Sequence, residues 1–287
     1  MNSGPPPLLL GVRGVQGVSH YENFPVASVL CPPRLRPAIV AIYAFARTAD
    51  DMADEGDAPA QARLDDLSAY RADLMAVAGG QASSARWPGV FEPLRRAIAN
   101  FALPVGLLAD LLDAFEQDVV KQRYASDAEL MDYCRRSANP VGRLLLHLYG
   151  VTGAEALAQS DQICTALQLI NFWQDLGQDI ARGRIYLPAD AWARHGVDEA
   201  QLLALRHNPN TINLIAGHAH QASAMMLKGS KLVRKLPGRG GWELRLVVQG
   251  GLRILDKIEA LNFDTLRQRP KLGPWDVAVM SWRALFM

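Results

Sequence analysis

The chain has 287 residues, 49% of them hydrophobic and 21% charged, which is a globular composition with ample length for a full core. Its formal net charge of +1 gives no whole-molecule field for nucleic acid, and no run approaches the roughly 20 apolar residues of a membrane span. Three widely spaced cysteines, Cys31, Cys134 and Cys164, form no C-x-x-C pair, which predicts buried thiols in a reducing cytoplasm and excludes a disulfide framework.

Residues 1–18 read as a flexible lead-in, because their apolar run is too short and their start too uncharged for a secretory signal. The remainder, 19–287, reads as one domain. Helical periodicity dominates it, and strand-like alternation is hard to find. Helices are predicted over 34–56, where Pro37 suits the first turn and Gly56 the stop, and over 58–80, closed by Gly79 and Gly80. Others are predicted over 87–104, 104–124 and 126–151, the last interrupted at Asn139-Pro140. A helix over 160–183 takes Ser160 as its N-cap and Gly183 as its stop, and GRIYLP (183–188) follows as a loop. Long helices over 212–236 and 242–261 and an apolar one over 273–287 complete a single all-α domain.

Two acidic clusters stand out. In DDMADE, Asp50 and Asp54 are four residues apart; in NFWQDLGQD, Asn171, Asp175 and Asp179 repeat the spacing. Residues four apart share a helix face, so each cluster is a ladder of like groups that repel. Both also fall in the last turns of their helices, where the macrodipole disfavours each carboxylate by roughly 0.3–1 kcal/mol. A solvated helix end explains DDMADE about as well as a site does. It explains NFWQDLGQD less well, since those acids follow a segment that reads as buried. Two ladders facing across a cavity would hold a hard divalent cation through oxygen, and Mg²⁺ fits because it takes few carboxylates and accepts phosphate oxygens. A di-iron carboxylate bundle would need Glu-x-x-His, which the chain lacks, and neither nucleotide-binding glycine motif occurs. Arg47, Arg182 and Arg184 flank the ladders, either as surface ion pairs or as donors to a metal-bound diphosphate. His147, His207, His218 and His220 read as surface or satisfied core.

With HYENFPVAS, the Asp50 segment, YCRRSANPVG and ALQLINFWQDLGQDIARGRIYLP in view, the chain resembles the squalene/phytoene synthase family. The likeness runs from His20 to Pro188 and is most specific at the two aspartate motifs. HYENFP and NFWQD are most similar to the bacterial hopanoid-pathway branch. The resemblance implies an isoprenoid synthase fold around a central apolar cavity, with Mg²⁺ held by Asp50, Asp54, Asn171, Asp175 and Asp179. It implies that His20 and Arg47 contact diphosphate, and that Tyr43, Tyr133, Ala138, Val141, Gly142 and Gln168 line the cavity. Tyr43, Tyr133, Phe172 and Trp173 could face a carbocation, although core packing accounts for Phe172 and Trp173 more simply.

The departures from the family pattern narrow the expected reaction. Gln174 stands where many relatives carry an arginine, Gln178 where many carry glutamate, and Glu22 and Asn23 replace small or basic residues. A site with fewer diphosphate donors suits a substrate with one diphosphate. The resemblance thus implies Mg²⁺-dependent conversion of presqualene diphosphate to hydroxysqualene, by a carbon–oxygen lyase acting on diphosphate. Head-to-head condensation by a prenyltransferase and a non-catalytic scaffold of the same fold are the rivals. No nicotinamide fingerprint is present, so no nicotinamide is expected. A cytoplasmic location is expected, with contact at the inner-membrane surface or with pathway enzymes left open.

Overall fold

The computed structural model describes residues 31–287. The lead-in over 1–18, and His20, Glu22 and Asn23, lie outside the described residues. Within them the chain forms twelve α-helices and no strand, only an isolated parallel bridge between Arg123 and Ile185. None of these helices is long and apolar enough to cross a membrane.

The first four helices are α1 (Arg36–Asp54), α2 (Ala60–Ala78), α3 (Pro88–Phe101) and α4 (Val105–Val120). They close one core around Phe45, Tyr70, Phe91 and Leu108, each fully buried. Tyr70 stacks on Phe45 at 5.1 Å between ring centroids and donates its hydroxyl to the Phe45 carbonyl at 3.1 Å. That bond satisfies the phenol inside the core and fixes the rotation of α1. Gly56, at φ +79°, ends the α1 run in a conformation that side chains avoid.

The second core is built by α5 (Asp127–Ser137), α6 (Asn139–Leu148), α7 (Ala154–Ala181), α10 (Pro209–Gly229) and α11 (Arg239–Ala260). The expected interruption at Asn139-Pro140 is a break at Ala138, and Pro140 falls in the first turn of α6, where its missing N–H costs nothing. One expectation is corrected. Ser160 does not cap α7, which begins at Ala154 after Gly153. Ser160 is buried inside the helix against Gly142, where an added Cβ would collide with its hydroxyl and with the Cys164 thiol.

The helix expected over 212–236 ends at Gly229 and continues as the 3₁₀ turn Ser230–Arg234. Two short helices, α8 (Ala189–Arg194) and α9 (Glu199–Leu203), were below the length that periodicity can detect. The final helix, α12 (Pro274–Leu285), packs on α11. The three cysteines are free; Cys31 and Cys134 are buried and Cys164 half-buried.

Candidate active site

The two ladders belong to different cores, and their helix ends meet. On α1, Asp50 and Asp54 sit on the face left uncovered by Phe45, Ala49 and Ala53, which are buried. Arg47 binds Asp50 at 3.1 Å, Asp51 at 2.5 Å and Glu55 at 3.1 Å. Tyr43 lies one turn earlier, half-buried on the same face. On α7, Leu169, Ile170, Phe172, Trp173, Leu176 and Ile180 are buried, so Gln168, Asn171, Asp175 and Asp179 are left on a half-buried stripe.

Electrostatics reports the meeting. Asp50 keeps 40% of its side-chain surface open to solvent, yet the surrounding protein and the neighbouring Asp54 push its pKa up to about 6. Asp179 is pushed up to about 7 by burial and by Asp175, and Asp54 on the opposite ladder adds to the repulsion. Arg184, just past α7, crosses between the ladders. It grips both carboxylate oxygens of Asp54 at 2.9 and 2.5 Å, while its backbone N–H donates to the Asp179 carbonyl at 2.8 Å. A bidentate guanidinium is the strongest cation an all-protein site offers to such a carboxylate.

A third helix end contributes a carboxylate that the sequence reading missed. Asp118, in the last turn of α4, accepts from the Tyr133 hydroxyl at 2.8 Å. Burial pushes its pKa up to about 7, with Asp54 and Asp50 raising it and Tyr133 and Arg184 opposing. The signal was available: a carboxylate in the final turn of a helix is disfavoured there as much as those of the ladders. The C-terminal ends of α1, α4 and α7 therefore converge, each bearing carboxylates.

Arg269 was also missed, because it is remote in sequence. It pairs with both oxygens of Asp175, the longer contact being 3.1 Å. Its loop is brought in by two contacts with α7. Gly177 has no side chain, so the Leu266 carbonyl approaches the helix directly, and the Gly177 N–H donates to the Thr265 carbonyl at 3.2 Å. Gln174 is wholly buried and donates to the Pro270 carbonyl at 2.7 Å. The residue read as a lost diphosphate donor thus anchors the loop that supplies a guanidinium.

Beneath the ladders lies an aromatic floor. Phe172 and Tyr186 stack at 3.7 Å with their planes 7° apart, and Tyr133 and Tyr124 pack around them. Trp173 is instead fully buried against His218, as plain core. An apolar recess opens beside Asn171, lined by Leu167, Ile170, Gly250, Gly251, Ile254 and Leu272. It is narrow here, with room for about one water molecule. Of the other expected lining residues, Ala138 is half-buried at the α5–α6 break, Val141 is 37% exposed and Gly142 is buried against α7. His147 and His218 bond backbone carbonyls at 2.8 and 2.9 Å, as satisfied core groups do.

The donor set fits Mg²⁺. Asp50, Asp54, Asp175 and Asp179 offer only oxygen atoms, and a divalent cation between them would relieve the repulsion that raises Asp50 and Asp179. No three His, Cys, Asp or Glu side chains among the described residues converge to cage a metal alone. A cation here would take carboxylates from the chain and its remaining ligands from phosphate and water, the usual mode for Mg²⁺.

Comparison with known proteins bears on this geometry. Residues 18–276 match the family model described as squalene/phytoene synthase. A protein of Sinorhizobium fredii named hydroxysqualene synthase is 35% identical over 259 residues, covering 89% of this chain and 85% of the relative. One of the same name from Rhodopseudomonas palustris is 34% identical over 266 residues, covering 92% and 88%. Among solved structures, squalene synthase HpnC from Alicyclobacillus acidocaldarius superposes with a TM-score of 0.79 at 36% identity, covering 85% of this chain and 90% of that one.

Proposed function

The chain belongs to the squalene/phytoene synthase family and is an isoprenoid-synthesising enzyme; we propose that its reaction is the conversion of presqualene diphosphate to hydroxysqualene. The observation that carries this reading is the convergence of the two carboxylate ladders, with Arg47, Arg184 and Arg269 around them, over a buried aromatic floor. The relatives named hydroxysqualene synthase support the choice of reaction within the family.

In this reading Asp50, Asp54, Asn171, Asp175 and Asp179 would hold Mg²⁺, which would supply charge neutralisation for the departing diphosphate. Arg47, Arg184 and Arg269 offer guanidinium donors to the same oxygens. To do so each would exchange a carboxylate partner for a phosphate one, keeping a charge-assisted bond. The carbon–oxygen bond breaks with its electron pair leaving on the diphosphate. The remaining cation needs walls without stray water. Tyr133 donates its hydroxyl to a carboxylate, which enriches its ring in electrons. Together with Phe172 and Tyr186 it gives the cation π faces and no nucleophile. Water then adds at the end of the rearrangement and loses a proton, giving the alcohol. The substrate's long prenyl groups suit work at a membrane surface.

The test is product analysis by mass spectrometry from presqualene diphosphate and from farnesyl diphosphate, with Mg²⁺ or chelator, and with or without reductant. Hydroxysqualene from presqualene diphosphate, dependent on Mg²⁺ and indifferent to reductant, supports the reading. Condensation of farnesyl diphosphate as the main reaction would replace it with the head-to-head alternative. Release of no diphosphate from either would leave a scaffold.

A further inference from the structure

The arginines around the carboxylate ladders are not alike. Arg47 is tied to Asp50, Asp51 and Glu55, Arg184 to Asp54, and Arg269 to Asp175. Arg182 is exposed, and its side chain makes no ion pair and no hydrogen bond among the described residues. Its backbone is fixed nonetheless. Arg182 caps the C-terminus of α7, its N–H donating to the Gln178 and Asp179 carbonyls at 3.2 and 3.0 Å. Asn171, Asp175, Asp179 and Arg182 follow at spacings of four, four and three, so Arg182 extends the ladder face by one turn beyond its last carboxylate. Gly183, at φ +85°, then turns the chain. Arg184 crosses between the ladders, and Arg182 is left at their rim.

The guanidinium reaches the site electrostatically. Burial and Asp175 raise the pKa of Asp179, and of the cations that oppose them Arg182 acts more strongly than Arg184. A diphosphate entering here meets a cluster of carboxylates whose other nearby guanidiniums are already engaged. An engaged arginine must give up a carboxylate to bind phosphate, whereas an unpaired one sheds only water. A cation at a helix C-terminus also complements the macrodipole. The dipole is served by any position in the last turn; it does not select the ladder face.

We propose that Arg182 is a binding residue for the substrate's diphosphate, meeting it at the rim and drawing it past the carboxylates toward the ladders. Its part is in association and not in breaking the carbon–oxygen bond. Rim charges of this kind set on-rates and their salt dependence. The inference rests on the reading of the site as one that acts on a prenyl diphosphate, and it adds the residue that admits the anionic end.

Isothermal titration calorimetry with inorganic diphosphate in the presence of Mg²⁺ tests it, beside steady-state kinetics with the prenyl diphosphate that the enzyme consumes. Arg182→Gln should bind inorganic diphosphate about fivefold more weakly and raise KM to a similar degree, with kcat within about twofold of wild type. The deficit should shrink as salt is raised, because an exposed charge acts through solvent. Arg182→Lys keeps the charge and should recover most of the affinity. A residue that serves only the helix dipole gives another pattern: Arg182→Gln lowers the melting temperature and leaves affinity and KM untouched. That result would overturn the proposal, as would a fall in kcat at unchanged KM. Wild type that neither binds inorganic diphosphate nor releases it from a prenyl diphosphate would overturn the reading of the site as well. Wild-type binding with an unaffected Arg182→Gln removes the role of Arg182 alone.

Discussion

Tyr133 on α5 donates its hydroxyl hydrogen to Asp118 on α4 at 2.8 Å, joining the aromatic floor to the carboxylates above it. The pair costs folding energy, because Asp118 is a carboxylate withdrawn from water beside two others. Asp118→Asn removes that repulsion while keeping an acceptor for the phenol. The variant should melt at the same or a higher temperature at neutral pH, yet release diphosphate at least about tenfold more slowly, a stability–function trade-off. Differential scanning calorimetry beside a diphosphate-release assay reads both. A gain in stability with full activity would reduce Asp118 to a structural partner of Tyr133.

Gly177 carries the placement of Arg269. A methyl group there meets the Leu266 carbonyl, which is backbone and cannot turn aside. Gly177→Ala should therefore cost about 1–3 kcal/mol of stability, the usual range for overpacking. It should also displace the 265–270 loop and weaken inorganic diphosphate binding in the presence of Mg²⁺. Urea unfolding and isothermal titration calorimetry check the two effects. If affinity holds while stability falls, Arg269 does not serve the diphosphate.

The raised carboxylates set a pH dependence whose sign can be worked out. Asp50 and Asp179 rise from an ordinary 3.8 to about 6 and about 7, so in the metal-free protein the folded state binds their protons more tightly than the unfolded chain does. Their contribution to stability is present below about pH 4 and is lost as pH rises through about 6 to 7. Thermal shift assays should find Mg²⁺ stabilising the protein near pH 8, where the ladders are ionised, and much less near pH 5. Equal Mg²⁺ shifts at both pH values would argue against the ladders as ligands.

Gln174 bears on reaction choice. It is wholly buried, its Nε2 holds the Pro270 carbonyl, and its Oε1 has no partner among the described residues. Gln174→Arg puts a guanidinium in place of the amide that holds the Pro270 carbonyl. We expect the variant to consume farnesyl diphosphate faster relative to presqualene diphosphate than wild type does, at some cost in stability. Rates with both substrates decide it. Wild type that condenses farnesyl diphosphate as fast as it consumes presqualene diphosphate would remove any role for Gln174 in the choice.

The ladders were legible from sequence because they break a local rule. Four-residue spacing of like charges at a helix C-terminus is unfavourable on its own, so its repetition at Asp50–Asp54 and Asp175–Asp179 pointed beyond the helix. Asp118 breaks the same rule once, without a ladder to mark it. Arg269 could not be read at all: its role depends on a loop close approach at Gly177, and nothing local encodes which carbonyl fills the gap. The long helices followed from periodicity, while α8 and α9 were too short to show one. In the sequence Gln174 stands only as a missing arginine. The structure adds that the same side chain anchors the Arg269 loop.

In the proposed reaction a carbocation formed from presqualene diphosphate at this site is captured by water. Incubating the enzyme with presqualene diphosphate and Mg²⁺ in oxygen-18 water, followed by mass spectrometry, tests it directly. Hydroxysqualene carrying the heavy oxygen, formed equally with and without reductant, is the expected product. An unlabelled hydrocarbon formed only when reductant is supplied would contradict it.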